Sequence, residues 1–377
     1  MKILLLGEYS NVHWTLAQGL RTLGHEVTVL SNGDFWKNYP CDIKIVRHYG
    51  KLGGIKYMIK LLCTLPRLRG YDVVQLINPM FLEIKADRIF KIYQYLRRNN
   101  GKIFLGGFGM DYYWVKTCCE KKILRYSDFN IGDELRTNND AVKERKDWLD
   151  TSKERLNKYI AHDCDGIITG LYEYWVCYHP AFPGKTVFIP YPINIEKQKS
   201  DSNQISNNNI ENKVKIFIGI NTNRSEYKGT DIMLKAAKAI ETKYPDKMAL
   251  HIAQSVPFEK YQRLMDGCDA ILDQLYSYTP SMNSLLAMSK GIICIGGGEP
   301  ENYEILNEED LKPIINVEPN FDSVYTQLEN LILHPEIIPE LKRQSKEYIR
   351  LHHDYIQVAK QYEEFYNKST LNPQLFF

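Results

Sequence analysis

Arg224 and Lys228 stand four residues apart in Asn221-Thr222-Asn223-Arg224-Ser225-Glu226-Tyr227-Lys228-Gly229-Thr230-Asp231. A planar guanidinium grips phosphate oxygens as a fork and an ammonium acts as a point charge, so this pair suits an anion with several oxygens. Gly229 would let the backbone approach closely or open the next helix. About fifty residues on, Thr279-Pro280-Ser281-Met282-Asn283-Ser284 leads into the small-residue run Leu285-Leu286-Ala287-Met288-Ser289-Lys290-Gly291. A helix starting near Thr279 would aim backbone N–H groups at the same anion. Two cations and one helix start can stabilise a diphosphate without a metal. Taken singly, the Arg–Lys pair also fits a solvated surface loop.

Elements must bring these residues together. The apolar run Val214–Ile220 empties into the first segment, Ala270–Leu272 precedes the second, and Ile292–Ile295 follows it. Ala249–Ala253 and Pro313–Val317 complete a set of short apolar runs alternating with helical patterns, the signature of a parallel sheet flanked by helices. The first half repeats the alternation, with strands expected at Lys2–Leu6, Glu26–Leu30, Val73–Ile77, Ile103–Gly106, Gly166–Thr169 and Val187–Pro190. A helix is expected over Asn11–Leu23, closed by Gly24. The loop Gly7–Trp14 then lies at the carboxyl edge of the sheet, where open α/β sheets bind ligands. It contains no G-x-G-x-x-G pattern, which argues against a nicotinamide or flavin enzyme.

At 377 residues the chain has room for two domains. Four parts are expected: an N-terminal Rossmann-like domain over 1–190, a crossover and polar linker over 191–213, a second Rossmann-like domain over 214–345, and a helical segment over 346–377 that returns to the first domain. The stretch Ile338–Tyr366 reads as one long helix. No apolar run is long enough to span a bilayer, and the run at Met1–Gly7 is too short for a secretory signal, so a cytoplasmic location is expected. The eight cysteines show neither zinc nor redox spacing, and most read as small buried hydrophobes; adjacent Cys118 and Cys119 are the one oddity and have no metal geometry.

Net charge is +2, but its distribution is uneven. Lys37–Arg125 holds eighteen Lys and Arg against six Asp and Glu, whereas Val214–Glu340 holds eleven against nineteen. Lys51–Arg69 and Lys85–Lys102 mix cations with apolar residues at helical spacing. Such segments fit either peripheral attachment to an anionic membrane surface or amphipathic helices with solvated basic faces. No nucleic-acid motif accompanies the charge.

These residues resemble the GT-B glycosyltransferases, especially the retaining family of capsule, lipopolysaccharide and mannosyl transferases. Gly19–Leu30 is similar to that family's first helix and second strand, Tyr71–Leu76 to its next core strand, and Ile189–Asn194 to its interdomain crossover. Arg224 with Lys228-Gly229-Thr230 resembles the diphosphate loop, and Leu285–Cys294 the helix and strand beneath the donor. The resemblance implies two Rossmann-like domains facing a cleft and transfer from a nucleotide-diphosphate sugar to a glycan or lipid-linked acceptor, with retention and no metal or other cofactor. Arg224, Lys228, Gly229, Thr279, Ser281, Met282, Asn283, Ser284 and Glu301 would serve the donor.

The pattern departs from the family at two places. The usual pair of glutamates falls on Tyr278 and Leu286, and the usual His-Gly-x-Asp reads Phe108-Gly109-Met110-Asp111. Asp111 and His13 are the N-terminal candidates for facing the reacting sugar. Asp111 also fits an N-cap or turn, and His13 a packing histidine. Asp163-Cys164-Asp165 has the look of a metal-holding acidic pair but precedes Gly166–Thr169, where it more naturally enters a buried strand. The missing glutamates leave two further readings open, a non-catalytic nucleotide-sugar binder or assembly partner and a sugar-nucleotide epimerase.

Overall fold

The structure is a computed structural model and describes residues 1–48, 50, 52–121, 123–196 and 213–368. Residues 197–212, most of the expected polar linker, lie outside it, as does the tail from 369. Two compact units emerge: the first comprises 1–117, 144–192 and the chain from Tyr355, the second 118–143 and 193–354.

Both units are parallel sheets. In the first, β1 (Lys2–Leu6), β2 (Glu26–Ser31), β3 (Ile43–Lys44), β4 (Val73–Leu76), β5 (Lys102–Gly107), β8 (Gly166–Thr169) and β9 (Thr186–Phe188) run in the order β3-β2-β1-β4-β5-β8-β9. Every neighbouring pair is parallel. Strands covered on both faces need continuous apolar runs, and Ile3, Leu4, Leu5, Val74, Leu76, Ile103 and Leu105 are accordingly buried. The order reverses between β2 and β4 on either side of β1, which makes the loops after β1 and β4 the switch point of this sheet.

In the second unit, β10 (Val214–Ile220), β11 (Met248–Gln254), β12 (Ala270–Leu272), β13 (Ile293–Gly296) and β14 (Ile315–Asn316) run in the order β11-β10-β12-β13-β14, again all parallel. Here the switch lies between β10 and β12. A two-stranded antiparallel hairpin, β6 (Asn130–Ile131) with β7 (Glu134–Leu135), belongs to the 118–143 segment. The two-sheet α/β architecture inferred from alternating strands and helices is therefore present. The short strands β3, β6 and β7 offered too few residues for their patterns to be read.

The first three α-helices are α1 (Val12–Thr22), α2 (Gly53–Thr64) and α3 (Ala86–Asn99). The expected single helix at the end of the chain is instead two, Ile338–His352 and Tyr355–Lys368. The break has a physical cause: the His353 carbonyl accepts the Ile193 N–H at 2.7 Å and Asp354 bridges Ile193, so these groups pair across chain segments instead of continuing a helix. After the break the chain rejoins the first unit. The Tyr355–Lys368 helix lies so close to α1 that a Cβ on Gly19 would stand 2.3 Å from the Tyr355 carbonyl oxygen and 2.7 Å from Ala359 Cβ. Further along it, the rings of Phe365 and Tyr366 pack on Phe104 of β5.

No described helix is long and apolar enough to cross a membrane. The contact at Gly19 predicts that Gly19→Ala destabilises the chain by about 1–3 kcal/mol through overpacking. Gly184→Ala, whose Cβ would meet nothing within 4 Å, is the control. Urea denaturation of the two variants should separate them, and equal midpoints would refute the packing account.

Candidate functional site

Three loops leave the carboxyl edge of the second sheet and bond to one another. After β10, Asn221 accepts from the Asn223 N–H at 3.2 Å and caps a short turn, which leads to Arg224 and a single helical turn, Ser225–Lys228. After β12, the Leu275 N–H donates to the Lys228 carbonyl at 3.0 Å. Gly229 makes this approach feasible, since its φ is +74° and a Cβ would lie 2.7 Å from Leu275 Cβ. After β13, the Glu299 N–H donates to the Tyr278 carbonyl at 3.1 Å. The Arg224–Lys228 loop and the 273–284 segment, separated in sequence, thus meet at the switch point. Arg224 is exposed, its guanidinium 4.7 Å from the centre of the Tyr227 ring. Gln254, the last residue of β11, donates to Thr222 Oγ1 at 3.2 Å and joins the same edge.

The helix under this edge starts later than its sequence implies. It spans Met282–Ser289 with extended Ser281 at its N-cap, so Thr279 lies in the loop, where its carbonyl accepts from Ser277 Oγ at 2.6 Å. Pro280 explains the delay, because the residue before a proline is pushed out of the helical region. Ser281, Asn283 and Ser284 all turn their side chains to Asp273, donating at 3.1, 2.9 and 2.6 Å. Asp273 thereby organises the helix start, a role of which its place at the end of an apolar run gives no sign. Met282 is the first helical residue and half-buried.

Two arginines from the 118–143 segment complete this edge. The Arg125 guanidinium donates to Glu301 at 2.6 and 3.2 Å and to Glu299 at 2.6 Å, and lies 4.8 Å from the centre of the Tyr278 ring. Its backbone N–H donates to the Tyr278 hydroxyl at 2.6 Å. Tyr126 donates its hydroxyl to Glu299. Burial pushes the Tyr278 hydroxyl up to about 12, so it stays protonated. Arg136, itself buried, donates to the carbonyls of Glu226 and Tyr227 at 2.8 and 3.0 Å and stacks on Tyr276 with 3.4 Å from guanidinium carbon to ring centre. Asp128 neighbours Tyr227, Arg224, Arg136 and Lys228, and burial raises its carboxyl above the usual range despite those cations. These residues are about ninety to 175 positions from their partners in sequence. The only local sign of them was a pair of aromatic faces, Tyr276 and Tyr278, of the kind that recruits guanidinium groups.

In the first unit, the loop after β1 is built around buried Glu8. Its carboxylate accepts from the backbone N–H groups of His13 at 3.2 Å and Trp14 at 2.8 Å, capping α1 in place of an N-cap side chain. Burial nevertheless dominates and lifts its pKa to about 8. His13 is fully buried, with Nδ1 2.9 Å from the Gly7 carbonyl. Nδ1 must therefore carry the proton, and Nε2 is an acceptor with no partner among the described residues. Burial lowers the His13 pKa to about 3, which keeps the ring neutral. Asp111 is the N-cap of α4 (Tyr112–Lys116): Oδ1 accepts from the Trp114 N–H at 2.9 Å and Oδ2 from the Tyr178 hydroxyl at 2.8 Å. Burial raises it to about 7. Of the two N-terminal candidates, His13 keeps an unsatisfied atom while both Asp111 oxygens serve the fold.

The acidic pair at 163 and 165 is structural. Arg97 holds Asp165 through two nitrogens and reaches Asp163 at 3.4 Å, and Asp165 also accepts the Ile103 N–H at 2.7 Å. No cluster of metal-ligating side chains occurs among the described residues.

The fold is that of the GT-B glycosyltransferases, two Rossmann-like parallel-sheet units. Sucrose-phosphate synthase from Thermosynechococcus elongatus superposes with a TM-score of 0.62 at 12% identity, covering 98% of this chain and 98% of that one. Anabaena HepE in complex with UDP and glucose gives 0.59 at 12% identity over 97% and 99% of the two chains. The catalytic domain of starch synthase IV from Arabidopsis thaliana, bound to ADP and acarbose, gives 0.55 at 11% identity over 98% and 99%. No protein-family model matches the chain, and no curated protein matches its sequence.

Glu8 sets a pH dependence of stability. The folded carboxyl holds its proton up to about pH 8 whereas the unfolded one releases it near 4.5, so its contribution is full below about pH 4.5 and is lost as pH rises toward 8. The melting temperature of Glu8→Gln should therefore gain on that of the wild type between about pH 5 and 8. A constant difference across that range would overturn the assignment.

Proposed function

We propose that this chain transfers a sugar from a nucleotide-diphosphate donor to a glycan or lipid-linked acceptor, with retention at the sugar carbon and without a metal. The observation that carries the proposal is the junction of the Arg224–Lys228 loop with the segment leading into the Met282–Ser289 helix, at the switch point of the second sheet. Ligands of open α/β sheets bind at such a point. A diphosphate there would meet a guanidinium, an ammonium and first-turn N–H groups, which lack acceptors within their own helix. These charges would stabilise the negative charge that grows on the leaving group as the bond to the sugar breaks. The shared fold with proteins solved with UDP or ADP supports the same reading.

Retention with a free leaving diphosphate can proceed by an oxocarbenium-like, front-face route, in which the leaving phosphate takes the acceptor proton. No strong base on the protein is required. His13, neutral and with Nε2 unsatisfied, would accept a hydrogen bond from a sugar hydroxyl that reached it. Asp111 would act through the fold, holding α4 and Tyr178 in place. Glu301 and the helix-start residues Ser281, Met282, Asn283 and Ser284 would border the donor, with Thr279 in the adjoining loop.

A second reading, a nucleotide-sugar binder without turnover, is favoured by one observation: where the family carries its first glutamate this chain has Tyr278, whose hydroxyl is already bonded to Arg125. Product analysis with an acceptor panel separates the two. Titration calorimetry with UDP- and ADP-sugars should show Arg224→Ala and Lys228→Ala each weakening donor binding by about 1.5–3 kcal/mol, roughly ten- to a hundredfold. Unchanged affinity in both variants would end the assignment of this loop.

A further inference from the structure

The stretch from Ile43 to Tyr71 contains seven Lys and Arg and no Asp or Glu. Within it, α2 turns Tyr57, Leu61 and Thr64 into the first unit. A surface helix of a globular domain should then present polar residues outward. Instead α2 and the residue before it expose Leu52 (64%), Ile55 (56%), Ile59 (57%) and Leu62 (54%). Spacings of three, four and three residues set these four on one helical face. Lys56 and Lys60 on one flank of that face, and Arg67 and Arg69 beyond its C-terminal end, are all exposed and form no ion pair among the described residues. Within this stretch the charges beside the apolar face are thus of one sign only.

That combination selects among partners. A second copy of this chain laid face to face would set cations against cations. An anionic bilayer satisfies both parts at once, taking the branched side chains into the acyl boundary and the cations among the headgroups. We infer that α2 is an in-plane docking helix for an anionic lipid surface. Its inner face adds a functional consequence. Tyr57 of α2 accepts from the Glu83 N–H at 3.2 Å and, together with Gly7, Glu8, Ile77 and Phe81, lines a cavity of about 90 Å³ at the carboxyl edge of β1 and β4. A helix that is seated in lipid on one side and walls this cavity on the other brings membrane-borne molecules to the switch point of the first sheet. The acceptor is then lipid-linked, a step that rests on the proposed transferase activity, whereas the docking itself does not.

Flotation of the full chain with vesicles tests the docking. Vesicles of phosphatidylcholine with roughly one-third phosphatidylglycerol should carry the protein upward, and pure phosphatidylcholine should not. Ile55→Ser with Ile59→Ser, and separately Lys56→Glu with Lys60→Glu, should each lower partitioning at least tenfold. All four positions are exposed, so circular dichroism and melting should match the wild type. Equal flotation on neutral vesicles, unchanged flotation of both double variants, or self-association that the Ile55/Ile59 variant abolishes with no vesicle binding would overturn the proposal. Calorimetry on the same preparations keeps the two readings apart: vesicle binding without donor affinity refutes the transferase alone, and donor affinity without vesicle binding refutes the docking alone.

Discussion

A single backbone hydrogen bond, from the Leu275 N–H to the Lys228 carbonyl, ties together the two loops on which the candidate donor site rests. Parallel strands bring loop ends to a common edge but do not make them touch. The contact forms because Gly229 has no Cβ and adopts a positive φ. Around it, Asp273 gathers three donors at the helix start and Glu299 ties in the loop after β13. Charge is thereby held on fixed backbone, which is what electrostatic stabilisation of a leaving group demands.

The 118–143 segment adds a second layer of constraint. Arg136 is buried with its guanidinium spent on backbone carbonyls and a tyrosine face, so it fixes the course of the Ser225–Lys228 turn. Arg125 is more exposed and answers two glutamates. Its pKa lies above the ordinary arginine value, chiefly because of the bond to Glu301. The edge therefore combines solvent-facing Arg224 with carboxylates already balanced by a cation. This arrangement compensates locally for an acidic half of the chain that would otherwise repel an anionic ligand.

Much of the fold was legible because buried parallel strands leave continuous apolar runs, and β1, β8, β10 and β12 end where those runs end. Local punctuation was less decisive. Pro280 displaced the helix start from Thr279, and the partnership of Ile193 with His353 split a pattern that read as one helix. The Arg224–Lys228 loop was visible because its two cations lie within five residues of each other. Asp273 was hidden because its role depends on three donors arriving from the next element, and Arg125 and Arg136 because long-range partners leave no spacing to read. Asp111 shows the opposite ambiguity: one residue type suits both a cap and a catalytic group, and only its two engaged oxygens reveal the cap.

The return of the final helix to α1 has a consequence for biosynthesis. Gly19 and the Tyr355 backbone are in contact although more than three hundred residues separate them, and Phe104 awaits Phe365 and Tyr366. Domains emerging from the ribosome ordinarily complete themselves in order, amino-terminal first. Here the leading sheet cannot cover its flank until Tyr355–Lys368 has emerged, by which time every strand of the trailing sheet is already outside the exit tunnel. The nascent chain must carry an unfinished apolar surface for as long as 193–354 is being made, a stage at which chaperones would find their substrate.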